Sequence, residues 1–221
     1  MIGDMNSEQV LTYVKDQLIQ GIESIDLSLS SLQQSSLVQY LVLLEKWNKT
    51  YHLTAIRDLG QMLVQHVLDS LVVIPHLPLH GIDVRLLDVG SGAGLPGLPI
   101  AVAMPQVRVT MLDSNQKKTA FIQHALGELR LTNANVVCAR VEDWNSEEPF
   151  QIVTSRAYSE LRLFVEQTKH LLKQDGIFAA MKGQFPKDEI EALPSEYMCN
   201  VIKLNVPGMD AERHLVLVTR Q

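Results

Sequence analysis

Apolar residues recur every three or four positions through the first third of the chain. In "SEQVLTYVKDQLIQGI", Val10, Leu11, Val14, Leu18 and Ile22 share one helical face, and Asn6 or Ser7 stands where an N-cap is wanted. A serine-rich break, "LSLSS", precedes "SLVQYLVLLEKWNKTYHL", in which Leu37, Leu41, Leu44, Trp47 and Tyr51 form a second stripe. That stripe predicts Trp47 and Tyr51 in the core. A third periodic stretch, "LGQMLVQHVLDSLVVI", runs until Pro75 and Pro78 stop it. Residues 1–76 therefore read as a helical extension.

From residue 83 the period changes. "VRLLDVG", "VRVTMLD", "ANVVCA", "FQIVTSR" and "GIFAAMKG" read as buried strands, and helical stretches such as "SNQKKTAFIQHALGEL" lie between the earlier ones. Strand alternating with helix predicts a parallel sheet covered on both faces. The final "VIKLNVPGMDAERHLVLVTRQ" differs: two strand-like runs joined through "PGMDAE" leave no room for a helix and should pair antiparallel at the sheet edge. Residues 77–221 are thus expected to form an α/β domain, a doubly wound and mostly parallel Rossmann-like sheet closing in an antiparallel hairpin. Class I methyltransferases that use S-adenosylmethionine share this topology, which by itself is only an analogy.

Composition narrows the partners. The N-terminal "MIGDMNSEQV" has no basic patch followed by an apolar run, so no secretory signal is expected. The longest apolar run, "LVVIPHLPL", is too short for a bilayer and is broken by prolines, so no membrane partner is expected. Cys138 and Cys199 lie far apart without metal spacing and are expected as buried thiols in a reducing cytosol. His76 and His80 flank Pro78 with no carboxylate or thiol to complete a zinc site, so no metal is expected. The net charge of −6 weighs against a nucleic-acid partner unless basic residues gather on one face.

"LLDVGSGAGLPG" carries the chemistry. A dinucleotide turn would be spaced G-x-G-x-x-G, but Gly90 and Gly92 are followed by Gly94, and Leu95 takes the place of the third glycine. Asp88 stands two residues before Gly90, where dinucleotide turns carry an apolar residue. S-adenosylmethionine offers an ammonium that such a carboxylate can pair with, directly or through water. Glycines let the backbone approach its amino-acid portion. The plainer reading of Asp88 is a carboxylate that caps the turn. Asp113, ending "TMLDS", can accept hydrogen bonds from ribose hydroxyls, and Val141 and Glu142 in "ARVEDW" fall where an adenine edge lies. Acids after three successive strands point to S-adenosylmethionine as cofactor.

The acceptor follows by elimination. Exocyclic amino methylation usually shows an Asp/Asn-Pro-Pro-aromatic turn after the fourth strand; this chain has "TSRAYSE". Pyrimidine carbon methylation needs a cysteine nucleophile, and neither Cys138 nor Cys199 is placed for one. Ribose methylation needs a lysine-centred base, for which Lys182 alone is thin support. A ring nitrogen with a free lone pair remains, guanine N7 above all. Arg156 can hold the methionine carboxylate or guanine O6, and Lys182 can bind phosphate or base or lie on a solvated face. Lys49, His52 and Arg57 are candidate RNA contacts. Lys46, Lys49, Arg57, Lys182 and Lys187 are expected to form the basic cluster that an RNA substrate requires. His66 and Asp69, three residues apart, are expected in a hydrogen-bonded structural role. Transfer to a small molecule or protein, and a non-catalytic nucleoside-binding module, stay open.

Taken together, "LLDVGSGAGLPGLPIAV", "VTMLDSNQKK", "ARVED", "SRAYSEL", "MKGQFPKDEI" and "ERHLVLV", with the upstream "WNKTYHLTAIRD" and "HVLDSL", resemble the RsmG family, also called glucose-inhibited division protein B. The resemblance covers nearly the whole chain, and "GLPGLP" is more specific than a generic methyltransferase turn. It implies a cytoplasmic bacterial enzyme that methylates N7 of guanine 527 in 16S ribosomal RNA, on the RNA or the small ribosomal subunit. A monomer is expected. By position it assigns cofactor contacts to Gly90, Leu95, Val141, Glu142 and Arg156.

Overall fold

The computed structural model describes residues 6–79, 81 and 83–221. His80, paired with His76 in the sequence reading, lies outside the described residues. Helix α1 (Ser7–Ser24) opens on a capping box, in which Asn6 accepts from Gln9 N and the Gln9 side chain accepts from Asn6 N. Helix α2 (Ser31–Tyr51) uses Ser30 and Gln33 in the same way. The Gln33 amide also donates to Val102 O and Ala103 O, 69 and 70 residues away. The third periodic stretch is helical but not uniform. It starts as α3 (Leu59–Met62), widens into a π turn over Leu63–Leu68, and finishes as α4 (Asp69–Leu71). Among the described residues no helix is long and apolar enough to cross a membrane.

Seven strands follow: β1 (Arg85–Val89), β2 (Arg108–Asp113), β3 (Ala134–Cys138), β4 (Phe150–Arg156), β5 (Leu172–Lys182), β6 (Tyr197–Leu204) and β7 (Arg213–Arg220). Their order is β3-β2-β1-β4-β5-β7-β6. The first five are parallel, while β7 runs antiparallel to both β5 and β6, so the expected hairpin forms with its second strand inserted inside the first. Alternation divides each strand between two cores. Leu86, Met111, Ile152, Ala179 and Leu215 face one side, with α5 (Gly97–Ala103), α6 (Gln116–Glu128) and the N-terminal helices. Leu87, Leu112, Val153, Ala180 and Val216 face the other, with α7 (Leu161–Thr168).

Three burial expectations change. Strand β3 is the edge of the sheet and none of its residues is fully buried, which leaves Cys138 exposed and not a core thiol; Cys199 is half-buried. Tyr51 ends α2 44 % exposed, stacked on a half-buried Trp47 at 5.1 Å between centroids. The tyrosine of this helix that is fully buried is Tyr40, about three turns earlier.

Candidate active site

The chain order reverses direction between β1 and β4, and a doubly wound sheet opens a crevice at that point, beyond the carboxyl ends of its strands. Val89, Asp113, Arg156 and Lys182 all end their strands there. Because β7 is antiparallel, its first residues Arg213 and His214 arrive at the same edge, His214 opposite Lys182.

The loop after β1 explains the glycine spacing. Gly90, Gly92 and Gly94 have φ of 69°, 60° and 86°, a left-handed region that L side chains rarely adopt. A Cβ on Gly90 would stand 2.7 Å from the Tyr158 ring. One on Gly92 would meet nothing nearer than Gly90 O at 4.0 Å, so the backbone of Gly92 lies open. Ala157, after β4, also has a positive φ of 54° and lines the crevice with Gly90. Strained backbone of this kind gathers at functional sites.

Two cavities meet over this loop, sharing Gly90, Lys118 and Ala157 in their walls. One, of about 330 Å³, takes Asp113, Val141, Glu142 and Tyr158. Asp113 accepts from Gly92 N and Asn115 N, one bond to each carboxylate oxygen at 2.8 Å, so both oxygens keep accepting capacity toward the cavity. The other, of about 530 Å³, takes Gly92, Leu95, His66, Asp69, Arg156, Lys182 and Arg213. Its charged lining is Lys118, Arg156, Lys182 and Arg213 against Asp69 alone, a cationic pocket in an acidic chain.

Asp69 organises that pocket. It is only 2 % exposed, and its two oxygens accept from Arg156 Nη1 and Arg213 Nε, each at 3.0 Å. Arg156 Nη1 also donates to Gln65 O at 2.7 Å. The π turn that carries Gln65 brings His66 alongside, with Arg156 Nη2 3.4 Å from His66 Nδ1. Burial, reinforced by the neighbouring Arg156, pushes the His66 pKa down to about 4, so the ring is neutral. Its proton belongs on Nδ1, because Gln65 O, 3.0 Å away, can only accept; Nε2 then accepts from the Thr54 hydroxyl at 2.9 Å. His66 and Asp69 are hydrogen-bonded as expected, and they also line the cavity. Arg213 was not singled out in the sequence, although "ERHLVLV" contains it.

Asp88 requires a correction. It is fully buried beneath the glycine loop and lines neither cavity, because its Oδ2 accepts from Gly97 N at 2.8 Å, where α5 begins. Its capping role is the one realised. Oδ1 has no partner, and burial pushes the carboxyl pKa up to about 7, with Asp113 adding to the rise and the Gly97 bond and Arg156 opposing it. Gly94 is also absent from both cavity walls; a Cβ there would press on Leu98 at 3.2 Å and on Ile122 and Met111 at 3.4 Å, so its role is packing. The loop is held from below by the Tyr40 hydroxyl, which donates to Ala93 O at 2.9 Å.

Lys182 Nζ donates to Ser159 O and to Glu189 at 2.7 and 2.6 Å, leaving one proton for the cavity. Lys49, His52 and Arg57 are brought together around a separate hollow with Asn48 and Glu45. Asn48 pins the intervening loop by donating to Ile56 O and accepting from Thr54 N, and Leu53 and Thr54 in that loop reach the cationic cavity. The expected basic cluster is partly self-neutralised, since Lys49 pairs with Glu45 and Lys187 with Glu191. Among the described residues no group of three or more His, Cys, Asp or Glu side chains could hold a metal.

The model of the GidB family, described as rRNA small subunit methyltransferase G, matches residues 33–216. The chain is 49% identical over 204 residues to the Ribosomal RNA small subunit methyltransferase G of Laribacter hongkongensis, covering 92% of this chain and 97% of that one. It is 49% identical over 208 residues to the protein of the same name from Neisseria meningitidis serogroup B, covering 94% and 99%. Among solved structures, precorrin-6y C5,15-methyltransferase from Geobacter metallireducens GS-15 shares the fold at a TM-score of 0.52 with 16% identity, covering 69% of this chain and 87% of that one.

Proposed function

The chain belongs to the GidB family of rRNA small subunit methyltransferases G, and from that premise we propose that it moves a methyl group from S-adenosylmethionine to N7 of guanine 527 in 16S ribosomal RNA. The reading places it in the cytoplasm, with 16S ribosomal RNA or the small ribosomal subunit as partner. The observation that carries the RNA assignment is the cationic cavity formed by Lys118, Arg156, Lys182 and Arg213 in a protein of net charge −6.

The residues present fit the cofactor. Gly92 leaves its backbone uncovered toward the larger cavity. Asp113 keeps free lone pairs for two ribose hydroxyls, and Val141 and Glu142 stand farther along the smaller cavity for an adenine edge. The larger cavity then takes the methionine end, against Gly92, Leu95 and Arg156, together with the guanine. When bound, S-adenosylmethionine supplies an electrophilic methyl on a sulfonium.

Guanine N7 attacks with its own lone pair and loses no proton, so the protein's task is alignment and not proton removal. The side chains agree with this. His66 is neutral with both ring nitrogens engaged, and Lys182 is held by a carbonyl and a carboxylate. Arg156 keeps Nε–H and both Nη2–H beyond its bonds to Gln65 O and Asp69, suited to guanine O6 or the methionine carboxylate but not to N7, where a cation would oppose the charge the ring acquires.

Methyl-tritiated cofactor, offered to RNA and small subunits from cells lacking the gene, tests the reading. Label on guanine N7 at that one position, mapped by mass spectrometry, is expected. Label only on protein or small molecules, or none, overturns it.

A further inference from the structure

Beyond the strand end at Lys182 the chain turns through Gly183, Gln184, Phe185 and Pro186 into α8 (Lys187–Glu191). Phe185 is 54 % exposed in this turn, an unusual position for a large aromatic beside a polar crevice. One buried ring supports it. The buried His214 packs against it edge-to-face, with centroids 5.8 Å apart and planes at 84°, and His214 Nδ1 lies 2.9 Å from Gly183 O. Phe185 therefore packs against one buried ring and leaves about half of its surface open.

The ring borders a third cavity, of about 400 Å³, that shares Lys182 and Gly183 with the cationic one. At the junction Arg213 Nη1 lies 3.9 Å from where a Cβ on Gly183 would stand. The two compartments differ in charge. The cationic one has four basic side chains against one acid, whereas this one sets Lys182 and Lys187 against Asp188 and Glu189. A phosphate suits the first. An uncharged, flat group suits the second.

We propose that this compartment receives the base of a nucleotide adjoining the target guanine, stacked on Phe185, with Arg213 at the junction facing the connecting phosphate. The inference rests on the RNA reading above and adds a recognition site that the family assignment does not supply. Stacking on one aromatic face fixes the RNA backbone beside the cavity without reading sequence, because every base has a π face.

Three replacements test it in methyl transfer to whichever form, 16S RNA or small subunit, the wild type methylates. Phe185→Ala should raise KM for RNA by roughly 5- to 150-fold, the span that loss of one base–aromatic stack produces, while the rate at saturating RNA stays within about threefold. Phe185→Trp should restore KM. Phe185→Leu, apolar but without a π face, should not. Cofactor affinity by calorimetry should match wild type in all three, and the salt dependence of RNA binding should keep its slope, since no phosphate contact is lost. An unchanged KM in the alanine variant, rescue by leucine, a flattened salt slope or weakened cofactor binding would each overturn the stacking site, the last two by showing that Phe185 merely orders the loop. If the wild type transfers no methyl to RNA in either form, the function proposed above fails first, and the stacking site with it.

Discussion

Replacing Asp69 by Asn keeps the shape of the side chain and removes its charge between Arg156 and Arg213. Each guanidinium donates to one carboxylate oxygen at 3.0 Å. An amide can accept from only one of them and turns an NH2 toward the other. Charge-assisted bonds of this kind contribute about 1.5–3 kcal/mol each, and breaking a buried pair costs about 3–5 kcal/mol. The arginine side chains are 21 % and 25 % exposed, so solvent relieves part of the uncompensated charge. A loss near the lower bound, about 3 kcal/mol, follows, which lowers Tm by about 6–12 °C in a chain of this size. Activity and RNA binding should then separate. Methyl transfer should fall at least about tenfold, because both guanidiniums lose the acceptor that orients them, whereas RNA affinity at low salt should hold or rise, because the cavity gains one unit of positive charge. Thermal melts, single-turnover transfer and filter binding on the same preparation check all three. Equal losses of RNA affinity and rate, with an unaltered Tm, would refute the account of Asp69 as the group that sets both arginines.

Gly92→Val places a branched side chain at φ 60° where no atom other than Gly90 O stands within 4 Å, so cofactor affinity should fall by more than about tenfold, with about 1–2 kcal/mol of backbone strain; unchanged calorimetric affinity would remove the cofactor from this turn. Asp88 has its pKa raised from 3.8 to about 7 by burial, so its favourable contribution is complete below about pH 4 and is lost as pH rises through 7. Urea unfolding of wild type and Asp88→Asn should therefore show the wild type losing ground to the variant from pH 4 to 7, by up to about 4 kcal/mol; a difference independent of pH would mean the carboxylate is charged throughout. Turnover at saturating RNA should stay nearly flat from weakly acidic to weakly alkaline pH, since His66 titrates near 4 and N7 needs no base; a steep rise tracking one ionisation would move the acceptor to a hydroxyl or amine. RNA affinity should drop steeply with salt while cofactor affinity barely changes, and parallel shallow responses would point to a small-molecule acceptor.

The sheet was legible because its strands alternate between two covered faces, a pattern as local as the residues themselves. The glycine loop was legible for a similar reason, since three residues forced to positive φ leave a spacing that can be read. Asp88 misled because a carboxylate at a strand end looks the same whether it points up into the crevice or down onto Gly97 N. Only the path of α5 decides. Asp69 and Arg213 stand 144 residues apart; their pairing depends on β7 entering the sheet beside β5, which no periodicity reveals. The π turn that sets Gln65 and His66 beside Arg156 leaves no sequence mark, because its apolar residues keep an ordinary helical rhythm. Tyr51 followed that rhythm too, yet the helix outruns the surface it packs on and carries the ring into solvent.

The bond from the Tyr40 hydroxyl to Ala93 O joins the amino-terminal helices to the glycine loop after β1. Gln33 adds two more ties, to the last carbonyls of the helix that the same loop leads into. A catalytic fragment trimmed to the sheet and its own helices would keep every glycine of the loop and still lose the props beneath them, along with the part of the apolar cover that the amino-terminal helices add to α5 and α6. The amino-terminal segment is thus a foundation and not an ornament. A graft that aims to give this loop a new acceptor has to carry α2 with it.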